Sequence, residues 1–463
     1  MTPRPDLSTL TSEEKDALIV ALLERVAELE ARLGEPPKTP GNSSAPPATG
    51  RKRNKDRRRG GVLREASVGR AGGGRRLHPN PDRMVCAKAT HCPHCAAALD
   101  ACEQRLHALY DKIELPRIRP DVTRVAQYSG RCGCCGRAFV AAVPAGLEPG
   151  SPFGRSVAAM AIYLRYGHAI AYERLSLLFA HLFGLSISEG ALANLFHHAQ
   201  PAFADRAREI LGALRQSRTI CSDETSARVA GHNHWEWVFH DERAALHVIR
   251  PSRGATVVAE VMAGHRPEVW VSDLYSAQRG HADQRQICIA HQLRDCQYAI
   301  DAGDTVFAPA VTKLLRRAVK LSHRRDQLKD STLARYRADF ERRLTALMAL
   351  APTNVHGRRL RQRYAKDRDG LFTFITDRRV PPTNNGSERE LRPSVIYRKV
   401  TNGFRSQWGA DLFAAIRSVV TTAARNQRDP FAAVHAALSG QPILRNSGSK
   451  IMKFPVGPES SGR

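Results

Sequence analysis

The stretch "TICSDETSARV", residues 219–229, sets two adjacent acids, Asp223 and Glu224, directly behind a short apolar run of β type. The segments that follow extend the same pattern. In "HWEWVFHD" (234–241) Trp235, Trp237 and Phe239 alternate with the period of two that a half-buried strand requires, and "AALHVIRP" (244–251) follows after a turn. "GATVVAEVMAG" (254–264) reads as a helix, "EVWVSDLYSAQ" (268–278) as a buried strand that stops at Asp273, and "QICIAH" (286–291) as one further strand. Three strands in meander, then a helix, a strand and another helix predict a mixed α/β sheet.

Two acids where apolar strands stop, near the middle of one sheet, suit a hard cation. Mg²⁺ takes oxygen ligands and usually only one or two protein carboxylates, which leaves room for water and substrate phosphate. The chain offers a third carboxylate in "PPTNNGSERELRP" (381–393). There the Pro and Asn-Asn-Gly residues form a turn, Ser387 and Glu390 have capping-box spacing, and Glu388 falls in the first helical turn beside Arg389 and Arg392, two arginines expected to contact nucleic-acid phosphates. Taken singly, each acid also reads as a solvated turn residue.

The chain has 463 residues, enough for two to four domains, and 71 Lys plus Arg against 45 Asp plus Glu give a formal charge of +26. Such a surplus suits a polyanion, because binding phosphates releases their counterions. Nucleic acid leads; an anionic membrane surface would draw the same charge, but there is neither an apolar run of about 18 residues nor a signal-peptide pattern. The expectation is a cytoplasmic, nucleoid-associated protein with no membrane partner. Ten cysteines in this length are too few for a disulfide scaffold, and their clustering suggests metal.

Residues 1–34 carry Ile19, Leu22, Val26, Leu29 and Leu33 at heptad spacing, with Thr11 and Glu14 as a capping box. They read either as a zipper-like helix or as an amphipathic helix packed on its own chain. Residues 35–80 have linker composition and are expected to be disordered. Within them Arg51, Lys52, Arg53, Arg57, Arg58 and Arg59 belong to "RKRNKDRRR", a phosphate-binding arm or a solubilising one. In 81–148, Cys92 and Cys95 ("CPHC") and Cys132 and Cys135 (in "CGCC") offer four thiolates for a structural Zn²⁺, the alternative being unligated core cysteines. In 150–206 a helix ending at "HLFG", a short turn and a helix capped by Ser188 read as a helix-turn-helix for DNA, or as two helices that merely pack. Residues 212–440 hold the acids, with basic helices inserted at about 300–380, and 441–463 read as a disordered tail.

With these motifs laid out, the chain resembles bacterial transposases of the insertion-sequence-sixty-six type, nearly end to end. The likeness rests on the N-terminal helix, "KTPGNSSAPP", the cysteine pairs, "SDET", "VSDLYSA", and above all "TNNGSERELRP" followed by "YRKVTNGFRSQWGAD". It implies an RNase H-like catalytic domain whose Asp, Asp, Glu triad falls on Asp223, Asp273 and Glu388. It further implies two Mg²⁺ or Mn²⁺ ions, double-stranded DNA at the element ends and target, a homo-oligomer and accessory proteins of the same element. Glu224 is left as a neighbour that orients a basic residue or a water, and Cys288 with His291 ("C-x-x-H") as either a family feature or a packed pair. Thr383 stands where an acid commonly precedes the Asn pair. A DNA-binding regulator without catalysis, a metal-dependent nuclease and a zinc-dependent assembly protein remain as alternatives.

Overall fold

The structure, a computed structural model, describes residues 11–33, 35–43, 76–100 and 104–444. The expectations placed on residues 1–10, on the basic arm from Arg51 to Arg59 and on 445–463 lie outside them. The chain divides into two compact units, one of residues 51–121 with 182–184 and one of the remainder.

In the smaller unit, His91 and Ala98 form a single antiparallel bridge around the "CPHC" turn, and the amide of Gln104 holds the backbone of Ala89 in both directions at 2.9 and 2.7 Å.

In the larger unit, α1 (Ser12–Leu33) begins with the expected capping box. Thr11 N–H donates to Glu14 Oε2 at 2.8 Å and Glu14 N–H to Thr11 Oγ1 at 3.3 Å. Strands β1 (Ser129–Arg131) and β2 (Ala138–Val140) pair around the second cysteine turn. Helices α2 (Arg155–Ile162), α3 (Tyr172–Phe183) and α4 (Glu189–Leu214) follow, and Ser188 caps α4 by accepting Ala191 N–H at 3.2 Å. Helix α4 runs through Pro201 and buries Leu192, Phe196, Phe203 and Ile210, so packing extends it well beyond a two-helix motif.

The central sheet has the order β5-β4-β3-β6-β7. Strands β3 (Thr219–Val229), β4 (His232–His240) and β5 (Ala245–Arg250) form the expected antiparallel meander. Helix α5 (Ala255–Met262) then crosses to β6 (Val269–Ser272), which lies parallel to β3, and β7 (Gln284–Ile287) lies parallel to β6. One face, with Cys221, Val269, Val271 and Ile287, packs on α6 (Ile289–Asp301) and α7 (Phe307–Ser322). On the other, Trp237 stacks on Phe239 and Phe239 meets the edge of Trp270, with centroids 6.0 and 6.2 Å apart.

The basic helices expected between the second and third acids are α8 (Asp330–Met348) and α9 (Val355–Asp367) together with α7; their apolar faces join the core through Leu333, Phe340, Leu360 and Tyr364. The short α10 (Thr373–Thr376) covers the β7 edge, where Phe374 N–H donates to Gln286 Oε1 at 3.0 Å. Then come α11 (Asn385–Thr401), α12 (Gln407–Arg425) and α13 (Pro430–Leu438).

Two segments expected to be disordered are built into the fold where described. In residues 35–43, Asn42 accepts Thr39 N–H at 2.7 Å and donates to Asp301 Oδ2 at 2.9 Å, pinning this turn to the end of α6. At the other end Ile443 is buried, and Glu209 accepts the N–H groups of Ile443 and Leu444 at 3.0 and 2.8 Å.

A sheet edge left bare invites pairing with another chain. Here α12 shields the β5 edge with hydroxyls one turn apart: Ser418 Oγ accepts His247 N–H at 2.8 Å and Thr422 Oγ1 accepts Ala245 N–H at 3.1 Å. Replacing Ser418→Ala and Thr422→Val together strands two buried donors, at a cost of about 1–3 kcal/mol each. Calorimetric unfolding should show that loss, and a change within about 0.5 kcal/mol would mean the edge is protected otherwise.

Candidate active site

Parallel pairing sets Thr219 beside Val269 and Cys221 beside Val271. Carried two residues further, the same register brings Asp223 beside Asp273, and strand alternation turns both toward the face that carries Cys221 and Val271. Asp273 follows directly on β6, as expected. Asp223 does not end its strand: β3 continues to Val229 because pairing with β4 persists as far as Val229 and His232, while pairing with β6 stops at Cys221. The acid therefore lies where β3 loses one of its two neighbours, and the space beside it opens.

Burial pushes the Asp223 carboxyl well above its ordinary range, and the charges of Glu224, Asp273 and, more weakly, Glu388 push the same way. Its Oδ1 accepts Glu224 N–H at 2.9 Å, and Asp273 Oδ1 accepts Tyr275 N–H at 2.8 Å. Among the described residues neither carboxylate has a cationic partner within salt-bridge distance. Glu388 has two contacts from α6: Arg294 Nη1 at 3.3 Å and His291 Nε2 at 3.7 Å from its Oε1.

As placed, no three His, Cys, Asp or Glu residues among those described converge tightly enough to hold a metal ion. The donor set nonetheless suits a hard cation: it is all oxygen, repels itself, and leaves Asp223 and Asp273 each with an oxygen that has no hydrogen-bond partner among the described residues.

A single buried residue, through its side chain and its backbone N–H, joins the neighbours of all three acids. Asn384 Nδ2 donates to Ser222 O at 2.8 Å, one residue before Asp223. Asn384 N–H donates to Cys288 Sγ at 3.1 Å, and Cys288 N–H in turn donates to Ser272 O at 2.9 Å, one residue before Asp273. Ser387 Oγ donates to Asn384 Oδ1 at 2.7 Å, one residue before Glu388, and its oxygen lies 2.9 Å from His240 Nε2. Ser387 thus does not cap the helix, contrary to the capping-box spacing. The helix starts at Asn385, and the hydroxyl is taken by Asn384 and His240. Glu390, the other half of that spacing, pairs with Arg425 at 2.7 Å.

The same network explains the "C-x-x-H" pair. Cys288 is a buried anchor, its thiol raised to about 11 mainly by burial, and His291 faces Glu388. A second buried polar cluster holds the middle of α11: Glu236 Oε1 accepts Ser394 Oγ–H at 2.7 Å and lies 2.9 Å from His247 Nδ1.

Glu224 points to the opposite face. Its Oε1 accepts Arg253 Nε and Nη2 at 2.9 and 2.7 Å, and its Oε2 accepts Gln278 Nε2 at 2.6 Å. The Arg253 guanidinium lies 4.6 Å from the Trp235 ring centre and 4.0 Å from that of Tyr275, which follows Asp273 by two residues. Of the two partners expected for Glu224, a basic residue or a water, the structure shows the first in Arg253, which sits in a loop with no period and was hidden in the sequence, as were Arg294 and Gln278. The paired Asn in "TNNGSERE" was the visible signal for Asn384.

Of the arginines expected on DNA, Arg389 and Arg392 are exposed on α11. The two cysteine turns share one geometry. Cys92 N–H donates to Ala97 O at 2.8 Å and Ala96 N–H to Cys92 O at 2.9 Å; Cys132 and Gly136 repeat this at 2.9 and 2.8 Å. Ala96 and Gly136 both have positive φ, 57° and 68°. Backbone N–H groups of His94 and Cys95 hold the Cys92 thiol below its ordinary value, and those of Cys135 and Cys134 do the same for Cys132. The turns fall in different units.

Residues 150–412 match the family described as "Transposase IS66 family". The chain belongs to the IS66 family of transposases. The matched span contains all three acids and stops short of both cysteine turns and α1. The chain is also 38% identical over 80 residues to "Uncharacterized protein y4hP" of Sinorhizobium fredii, a match covering 17% of this chain and 14% of that protein. No helix among the described residues is long and apolar enough to cross a membrane.

The raised Asp223 carboxyl carries a sign. A group whose value is raised on folding contributes stability that is full below its unfolded value and lost as pH rises through the folded one. In chelator, Asp223→Asn should therefore melt above wild type at pH 7–8, by about 2–4 °C per kcal/mol relieved, with the gap closing toward pH 4. A variant that melts below wild type at every pH would remove the charge conflict at Asp223.

Proposed function

We propose that this chain is a DNA transposase whose strand cleavage and strand transfer are centred on Asp223, Asp273 and Glu388. The observation that carries the reading is the parallel register of β3 and β6, which runs to Cys221 and Val271, two residues before Asp223 and Asp273, together with the charges of Asp273 and Glu388 felt at the Asp223 carboxyl. An antiparallel meander extended by two parallel strands in the order β5-β4-β3-β6-β7 supports an RNase H-like catalytic domain.

Two Mg²⁺ or Mn²⁺ ions held by these carboxylates would supply the Lewis-acid charge that phosphodiester chemistry needs. Asp223 and Asp273 provide the free oxygens. Arg294 and His291 hold Glu388 in place, and Glu224, through Arg253, ties the β3 backbone to the loop behind Asp273. Water cleaves the phosphodiester at the element end to give a 3′-hydroxyl and a 5′-phosphate. The hydroxyl then attacks a target phosphodiester in line, one P–O bond forming as another breaks. Positioning carries most of this chemistry, so no covalent enzyme intermediate is required.

The remaining modules serve the DNA. Each cysteine turn offers thiols suited to structural Zn²⁺, and at Cys92 and Cys132 backbone donors favour the charged form. Helix α1 leaves Ile19, Leu22 and Val26 exposed along its heptad face, which supports pairing with a second copy. Helices α3 and α4, joined by a five-residue turn, are the DNA-reading unit, and the arm from Arg51 to Arg59 binds phosphates.

The test is strand cleavage on DNA carrying the element's ends. Asp223→Asn, Asp273→Asn and Glu388→Gln should each abolish Mg²⁺-dependent cleavage by several orders of magnitude while leaving end binding intact, and Glu224→Gln should be milder. Cleavage surviving in any of the three would remove that residue from the centre, and cleavage without joining would make the protein a nuclease.

A further inference from the structure

The first turn of α11 has two sides. One presents Glu388 to α6; the other, with Asn385, Gly386 and Arg389, forms a wall of an open cleft of about 1670 Å³ between the ends of β3 and β4, α4 and α12. Six arginines line it: Arg218, Arg243, Arg379, Arg389, Arg417 and Arg425. Three are matched to acids, Arg218 and Arg379 through Glu268 and Arg425 through Glu390. Arg243, Arg389 and Arg417 have no ion pair among the described residues.

Of the acids that line the cleft, Glu390 is committed to Arg425, and Glu209 accepts the backbone of Ile443 and Leu444. Asp241 accepts the N–H groups of Arg243 and Ala244 at 2.7 and 2.6 Å, which leaves Glu242 at the exposed rim.

Arg417 is the residue that asks for a ligand. Its side chain lines the cleft with only 6% of the residue exposed, Nε has no hydrogen-bond partner, and its recorded side-chain contact is a long 3.4 Å to Thr421 Oγ1. Two turns on, Arg425 Nε is equally unpartnered. The charges of Glu236 and Glu390 reach this buried guanidinium, but neither forms an ion pair with it, and an anion entering the cleft would supply the direct partner it lacks.

The end of α11 adds to the field. Asn384, its N-cap residue, makes no side-chain cap bond, because its amide is spent on Ser222 and Ser387. The free N–H groups and dipole of this 17-residue helix therefore favour negative charge nearby. At the cleft floor, burial and then the charge of Arg425 push the His240 imidazole down to about 3, with Arg389 contributing.

We propose that this cleft binds the phosphodiester backbone of the DNA strand flanking the scissile phosphate. The proposal rests on the transposase reading for its choice of anion. Arg389 follows Glu388 directly, so one wall of the cleft and the third carboxylate share a single helical turn, and successive phosphates of one strand advance by about 3.4 Å. His240 is the only aromatic ring among the described residues that line the cleft, so contact is to phosphates and independent of sequence.

The experiment uses the full chain in chelator, which removes catalysis, with a labelled 30-base-pair duplex and a labelled 20-nucleotide single strand as probes. A benzophenone amino acid placed at Glu242 should crosslink to labelled DNA. Arg417→Met should lower that yield roughly tenfold, as expected for one lost contact to a charged group, while raising the melting point of the protein alone. Arg243→Ala with Arg389→Ala should reduce the salt slope of binding by about one unit per lost phosphate contact. No crosslink while the probes still bind would overturn the proposal. An Arg417→Met protein that melts lower and crosslinks as before would do so too, marking Arg417 as a structural cation. Because the assay needs no cleavage, failure of the carboxylate centre would show only in the nuclease assay and would leave this result standing.

Discussion

Two carboxylates side by side on neighbouring parallel strands repel each other, and partial burial makes that repulsion worse by removing water. The main chain holds Asp223 and Asp273 near each other: β3 is pinned by β4 on one side and by β6 as far as Cys221, two residues before Asp223. The conflict is stored in the Asp223 carboxyl, which folding drives upward. A cation would relieve it, which is why the proposed site falls at this sheet position.

Placing the third acid falls to buried polar bonds. Asn384 reaches the strand before Asp223, the turn linked to Asp273 and the hydroxyl before Glu388, while Glu236 and Ser394 fix the middle of the same helix. Such a lattice is directional where apolar packing is not, so it can set α11 to the fraction of an ångström that a metal centre demands. The same helix turn also walls the arginine cleft, so the element that carries Glu388 borders a cluster of six arginines.

Much of this was legible in the chain. Alternation at Trp235, Trp237 and Phe239 gave β4, and the apolar "VWVS" before Asp273 gave β6 and its acid. The end of β3 was misplaced because the polar "ETS" looked like a turn; Ala227 and Val229 continue the alternation beyond it, and pairing with β4 carries the strand on. Ser387 matched a helix-start signature, but a tertiary contact to His240 outbid the local one. The turn at 35–43 has a linker's composition and holds by one side chain, Asn42, whose partner lies 259 residues away, a distance no local pattern spans. Arg253 and Arg417 escaped for the same reason: what they meet is set by the fold.

The most direct measurement is a Mn²⁺ titration of the chelator-treated full chain, followed by electron paramagnetic resonance at neutral pH. Hard-cation binding that saturates in wild type, is lost in Asp223→Asn and is weakened in Asn384→Ala is the expected result. Equal binding by all three proteins would contradict a metal centre built on Asp223 and positioned by Asn384.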